Sequence, residues 1–170
     1  MVKIGALAPD FKLEGYYNDK IKDFSLKDYK GKWIVLFFYP LDFTFVCPTE
    51  VTEFSKRYSE FKKVNAEVLG VSVDSVYSHK DWVEKIGGLK YPLLSDFKKE
   101  ASRNYEVLVE EKGFALRATF IIDPDGVFKY FVMSDVSVGR SVSEILRILN
   151  ALQTGKLCPV EWKPGEKTLN

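Results

Sequence analysis

An α/β layered domain is the fold class this sequence predicts, on three observations. Residues 33–39 (WIVLFFY) form a continuous apolar, aromatic and β-branched run, the pattern of a strand buried on both faces of a sheet. An amphipathic helix and a second such run at 67–73 (EVLGVSV) follow, so strands and helices alternate early. A hairpin and a final helix come late.

Up to Lys32 the chain reads as short extended pieces and turns, with Phe11-Lys-Leu and Phe24-Ser-Leu as strand candidates around the polar turn YNDK. Pro40 ends the first buried run. Residues 49–63 then place Val51, Phe54, Tyr58 and Phe61 at spacings of three and four, one face of a helix. After the second run, Ser78 with Asp81 three residues on is expected to cap a helix to about Ile86. GGLKYP breaks the chain, and Ser95 is expected to cap a helix from Asp96 to about Tyr105. Residues 119–122 and 127–132 are strands joined by Asp-Pro-Asp-Gly, where proline presets its φ and glycine accepts a positive one. Ser141 and Glu144 form a capping-box signal for a helix ending before Gly155, and a turn-rich tail, 155–170, follows. With no internal repeat or low-complexity segment, 1–170 reads as a single domain.

Composition narrows the function. Of the 170 residues 46% are hydrophobic, enough for one proper core. Aromatic residues reach 15%, so some rings are expected at a subunit interface, although core packing is the default place for any one of them. Twenty-five basic against 24 acidic residues leave no basic stripe, which counts against nucleic acid as a partner. No apolar run approaches the roughly 18 residues of a spanning helix, and the opening MVKI lacks a signal-peptide core. A chain free of the membrane, in a reducing cytoplasmic compartment, is the expectation. There, two distant cysteines argue against a structural staple, and a single histidine without a Cys/His cluster argues against zinc. A redox pair remains, and at this level it stays open whether Cys47 and Cys158 meet within one chain or across two.

Cys47 stands where the 49–63 helix begins. Pro48 supports the placement, because proline lacks an amide proton and is tolerated in the first helical turn. For an arbitrary cysteine, a small buried hydrophobe is the default reading. At a helix start, unsatisfied amides and the macrodipole favour the thiolate instead, which makes a nucleophile.

Pro40, Thr44 and Cys47 stand in a P-x-x-x-T-x-x-C pattern, here PLDFTFVC, flanked by FTFVCPTE. HKDW, RATFIIDPDG, SVGRSVSEILRILNALQ and CPVEWKPGEKTL follow in order. In these segments nearly the whole chain resembles the typical two-cysteine peroxiredoxins of the alkyl hydroperoxide reductase C type. The resemblance implies a thioredoxin fold with peroxiredoxin extensions, a central mixed sheet flanked by helices. It further implies that Cys47 is the peroxidatic nucleophile and that Cys158, in the tail, is the resolving thiol from the partner subunit, carried on a mobile segment.

Pro40 belongs to the same motif. Thr44 occupies the position where thioredoxins carry their first cysteine, and its hydroxyl is expected to donate to a peroxide oxygen. Arg117 is placed beside the thiolate, with a fixed fork that also holds peroxide. Glu50 is expected to orient an arginine, Arg140 matches a second family arginine, and Trp82 is expected to pack near the active-site helix. His79 of HKDW is read as a capping-region residue and not as a general base, with no Asn or Asp constellation completing a protease triad.

The implied reaction is peroxide reduction through a Cys47 sulfenic acid and a disulfide with Cys158, reduced by a dithiol protein, either thioredoxin or a dedicated flavoprotein reductase. No cofactor and no metal are expected. The implied partners are the peroxide, that reductant and further copies of the chain, as a homodimer and a ring of dimers such as a decamer. A one-cysteine peroxidase and a holdase or structural ring protein are the alternatives, and the missing CxxC disfavours a thioredoxin-like oxidoreductase. Gly87-Gly88-Leu89-Lys90 only partly matches the GGLG loop of overoxidation-sensitive members, and the given chain stops at Asn170 without a Tyr-Phe segment, so resistance to excess peroxide is expected.

Overall fold

The computed structural model describes residues 2–170, and Met1, part of the MVKI reading above, lies outside them. Backbone proximity divides the chain into one unit up to Arg140 and a second, Ser141–Asn170. The first unit opens with an antiparallel hairpin of β1 (Lys12–Tyr17) and β2 (Lys20–Ser25). Asn18 and Asp19 both take positive φ, 49° and 58°, a mirror-image turn whose twist suits paired strands. The pieces read around YNDK are therefore full strands.

The buried run is β3 (Trp33–Phe38), followed by α1 (Cys47–Lys56), α2 (Tyr58–Lys63) and β4 (Ala66–Ser72). Then come α3 (Val76–Lys85), β5 (Leu93–Ser95), α4 (Glu100–Asn104) and a two-stranded ribbon of β6 (Leu108–Val109) and β7 (Phe114–Ala115). The late hairpin is β8 (Arg117–Ile122) and β9 (Phe128–Ser134). Seven strands form one mixed sheet in the order β2-β1-β5-β4-β3-β8-β9. Strand β3 runs parallel to β4 and antiparallel to β8, with Phe38 opposite Ala118. This register sets the start of β8, at Arg117, beside the end of β3, where the loop to Cys47 departs.

Alternation along β3 feeds both faces of the sheet. Ile34, Leu36 and Phe38 join a core with Leu69, Val71, Tyr105 and Phe120. Phe37 points the other way and stacks on Phe54 of α1, with ring centroids 4.4 Å apart and planes within 12°. Such a pair adds about 1 kcal/mol beyond its buried area and seats α1 on the sheet.

Four expectations are corrected by the structure. The 49–63 helix is two pieces, divided at Arg57 (φ −95°, ψ 8°); the break keeps the Phe54 and Phe61 rings 5.9 Å apart while Tyr58 turns to donate to Glu67 at 2.9 Å. Ser75, not Ser78, caps α3, because Ser75 is extended and its Oγ accepts from Ser78 N at 3.2 Å. Ser95 ends β5 and donates to the Asp74 carbonyl at 2.6 Å; α4 starts later, with Asp96 accepting from Ala101 N and Ser102 N at 3.0 and 2.7 Å. The fourth correction is His79, which lies inside α3, wholly buried.

In the second unit, α5 (Val142–Thr154) begins with Ser141 Oγ accepting from Glu144 N at 3.2 Å and ends at Gly155 with φ 64°. Only that half of the capping box forms, since the Glu144 carboxylate turns to the Arg147 fork at 2.6 and 2.7 Å. The tail is folded into turns rather than left loose. Leu169 N donates to Leu157 O at 2.8 Å, Leu157 N to Asn170 Oδ1 at 2.7 Å, and Trp162 Nε1 to Glu166 O at 3.1 Å. Among the described residues no helix is long and apolar enough to cross a membrane.

Candidate active site

Cys47 is the first residue of α1, wholly buried, with Pro48 next to it in the first turn. Val46 precedes it without a side-chain cap, and Thr49 N and Glu50 N both reach the Val46 carbonyl, at 3.1 and 3.4 Å. The amide of Cys47 lies among the helix donors that have no intrahelical acceptor. The thiol is thereby set at the positive end of α1.

Arg117, at the start of β8, supplies a second source of positive charge. Its Nη1 lies 3.3 Å from Cys47 Sγ and donates to Glu50 Oε2 at 2.8 Å, while its Nε donates to the Val136 carbonyl at 2.7 Å. Arg140 approaches Glu50 from another segment, with its backbone N and its Nε each 2.9 Å from Oε1 and its Nη2 3.3 Å from Oε2. The rest of its fork is committed to the carbonyls of Ala118 and Phe38, at 2.9 and 2.7 Å, and to Thr119 Oγ1 at 3.0 Å. Burial pulls the Arg140 guanidinium below its ordinary value, and the Glu50 charge opposes that shift. Arg117, Arg140 and Glu50 are all nearly inaccessible. Two guanidinium cations and one carboxylate leave one positive charge unbalanced in a buried place, and a Cys47 thiolate balances it.

Thr44 lies in the loop before Cys47, where its Oγ1 donates to the Leu41 carbonyl at 2.9 Å. A hydroxyl has one proton, so any further partner of this oxygen meets its lone pairs instead of the donor expected from the sequence. Phe43, the preceding residue, has φ 56°, a sparsely populated conformation for a bulky side chain. Pro40 is buried at the end of β3. The Trp82 ring lies 5.7 Å from that of Tyr39 and 6.3 Å from that of Phe43, so it packs on the loop leading to Cys47.

An Asp–His pair does exist, contrary to expectation: His79 Nδ1 is 2.7 Å from Asp42 Oδ2 and its Nε2 is 3.1 Å from the Leu94 carbonyl. With both nitrogens engaged, His79 has no free position for a thiol. Asp42 and Asp74 are the polar residues that sequence reasoning passed over. The available signal was a carboxylate inside the apolar stretch Leu41-Asp42-Phe43 of a chain with a single histidine.

Cys158 belongs to the second unit, half-buried after α5. Its Sγ is 3.5 Å from Thr154 Oγ1 and 3.8 Å from the Ala151 carbonyl. Both cysteines are free thiols.

The sequence matches the AhpC/TSA family over residues 4–131. It is 50% identical to the chloroplastic 2-Cys peroxiredoxin BAS1 of Hordeum vulgare, across 98% of this chain and 84% of that protein. It is also 50% identical to a mitochondrial thioredoxin-dependent peroxide reductase of Drosophila melanogaster, across 96% of this chain and 74% of that one. Among solved structures, the reduced 2-Cys peroxiredoxin of Plasmodium vivax superposes with a TM-score of 0.95 at 38% identity, covering 99% of this chain and 93% of its own. A thiol held at a helix start between an arginine and a Glu50-centred charge cluster, on a thioredoxin-like mixed sheet, thus sits in a chain that belongs to the AhpC/TSA family and is a two-cysteine peroxiredoxin.

Proposed function

We propose that this chain reduces hydrogen peroxide and organic hydroperoxides through Cys47, with Cys158 of a second copy as the resolving thiol. The observation that carries the assignment is the buried Cys47 Sγ 3.3 Å from Arg117 Nη1, in a cluster whose charge a thiolate balances. The thiolate attacks one peroxide oxygen and the O–O bond breaks. The second oxygen leaves with the bonding pair and takes a proton to become water or alcohol, and Cys47 becomes a sulfenic acid. Arg117 and the Cys47 amide stabilise the charge moving along that bond, each worth roughly 3 kcal/mol of barrier by analogy with other fixed donors. Thr44, with its own proton on Leu41, accepts the peroxide O–H and orients it. Glu50 holds both arginines in register, and Pro40 and Trp82 support the loop.

Condensation with the Cys158 thiol releases water and forms the disulfide, which an external dithiol then reduces by exchange. The name of the Drosophila relative supports a thioredoxin-type reductant. A homodimer, further assembled as a ring, is part of the proposal. Its support is the place of β9 as the last strand of the sheet: beyond Phe128, which bonds to Gly5 and Ala6, it carries the partly exposed Val132 and Met133. The setting proposed is the cytoplasm, which cell fractionation tests.

Peroxide consumption driven by thioredoxin and its reductase tests the core of the proposal. Wild type is expected to turn over and Cys47→Ser to lose turnover entirely. Residual activity above a few per cent in Cys47→Ser overturns the assignment.

A further inference from the structure

The single histidine of this chain is wholly buried between two acceptors. Its Nε2 faces the Leu94 carbonyl at 3.1 Å, and a carbonyl oxygen accepts but never donates, so Nε2 carries a proton. Its Nδ1 faces Asp42 Oδ2 at 2.7 Å, a separation that requires a second proton on that line. Asp42 also accepts from Tyr39 Oη on Oδ1 at 2.7 Å and from Ser78 Oγ on Oδ2 at 2.8 Å. Asp42 and His79 are thus joined by a buried hydrogen bond, with both carboxylate oxygens and both ring nitrogens engaged.

This pair reaches the active-site loop through one peptide unit. The Asp42 amide donates to Asp74 Oδ2 at 2.9 Å, and that oxygen is itself held by Ser72 Oγ at 2.6 Å. Burial, and next the charge of Asp42, raise the Asp74 carboxyl above its ordinary value. The carbonyl of the same Leu41–Asp42 peptide accepts the Thr44 hydroxyl at 2.9 Å. A peptide bond is planar, so fixing its N–H and the adjoining Asp42 side chain fixes where its C=O points. Phe43, held at φ 56° between Asp42 and Thr44, needs such over-determination to persist.

We propose that Asp42 and His79 are positioning residues for peroxide reduction: as a buried hydrogen-bonded pair they lock the Leu41–Asp42 peptide so that Thr44 spends its proton on Leu41 and presents its lone pairs to the peroxide O–H. The proposal rests on the assignment of Thr44 as the peroxide acceptor. Neither residue touches Cys47, so the pair acts on substrate orientation and leaves the thiolate itself alone.

Two experiments test it on the full-length reduced chain. In proton NMR of wild type, the proton on Nε2 and the proton on the Nδ1–Asp42 line are expected as two downfield signals that exchange slowly with water. Rapid exchange of both overturns the buried pair without any variant being made. In single-turnover oxidation of Cys47 by hydrogen peroxide, Asp42→Asn is expected to be at least tenfold slower, with the thiolate absorbance at neutral pH unchanged. Tyr39→Phe, which removes one donor from Asp42, is expected to lose less. The double variant Asp42→Asn/Thr44→Val is expected to be no slower than Thr44→Val alone, an epistasis that general loosening of the fold does not produce. Full wild-type rates in Asp42→Asn, or multiplied losses in the double variant, overturn the proposal alone. A wild type that consumes no peroxide overturns it together with the functional assignment beneath it.

Discussion

The two cysteines of this chain have opposite surroundings. Cys47 is sealed at a helix start, 3.3 Å from a guanidinium nitrogen and inside a set of buried charges that a thiolate completes. Cys158 is half-buried among turns, and a hydroxyl and a backbone carbonyl are the hydrogen-bond partners of its sulfur. One environment sets a cation beside the sulfur. The other offers weak contacts to neutral groups, each worth at most about 1 kcal/mol. On the proposed mechanism, nucleophilicity at the first site and availability at the second are separate properties, set by separate interactions. A first thiol must attack from a fixed position, and a second must reach it after local opening.

The sharpest way to break this comparison is to exchange the roles by substitution. Cys47→Ser is expected to abolish peroxide reduction, whereas Cys158→Ser keeps the first oxidation step and loses thioredoxin-coupled turnover. On a non-reducing gel, oxidised wild type should run as a disulfide-linked dimer and Cys158→Ser as a monomer. A monomer-sized oxidised wild type with both thiols blocked places the bond within one chain.

Next in size is Glu50→Gln. It removes the shared counter-ion of two buried cations, the kind of loss that costs about 3–5 kcal/mol. Chemical denaturation should report it, and a change under about 1 kcal/mol would show that the cluster is relaxed by other groups. Arg117→Met follows, with peroxide reduction slowed well over tenfold and a smaller thiolate fraction at neutral pH by absorbance. Lysine at 117 should rescue partly, since a point charge does not reproduce the fork. The smallest effect belongs to the other thiol: Thr154→Val removes one weak contact to Cys158 and should alter the rate of disulfide formation by about twofold at most. A tenfold change there would mean that Cys158 is activated after all.

Local information in the sequence carried much of the architecture. The run at 33–39 announced its own burial by continuous apolar character, and β3 occupies it with every residue from Ile34 to Phe38 inside. The Asp-Pro-Asp-Gly turn and the Ser141 cap stand where their side-chain chemistry requires them, because both act within four residues. Pro48 located the start of α1, and with it Cys47, for the same reason. Errors arose where two local solutions competed. Ser75 and Ser78 both offer a capping hydroxyl, and the choice fell to Ser75 because Asp42, far away in sequence, takes the Ser78 hydroxyl.

Taken alone, then, the sequence determined which segments are strands and helices, where Cys47 stands on them, and, through the PLDFTFVC motif, its family. Only the tertiary structure decided which charges meet. Glu50, Arg117 and Arg140 come from α1, the start of β8 and the loop after β9, and they converge because β3 and β8 pair in the register that sets Ala118 opposite Phe38. Asp42 and His79 likewise meet only once α3 packs on the sheet. Periodicity reports how deeply a residue is buried, since each strand or helix carries that pattern in itself. It is silent on the partner of a buried charge, because that partner is fixed by strand register and by the closure of long loops, which no single segment encodes.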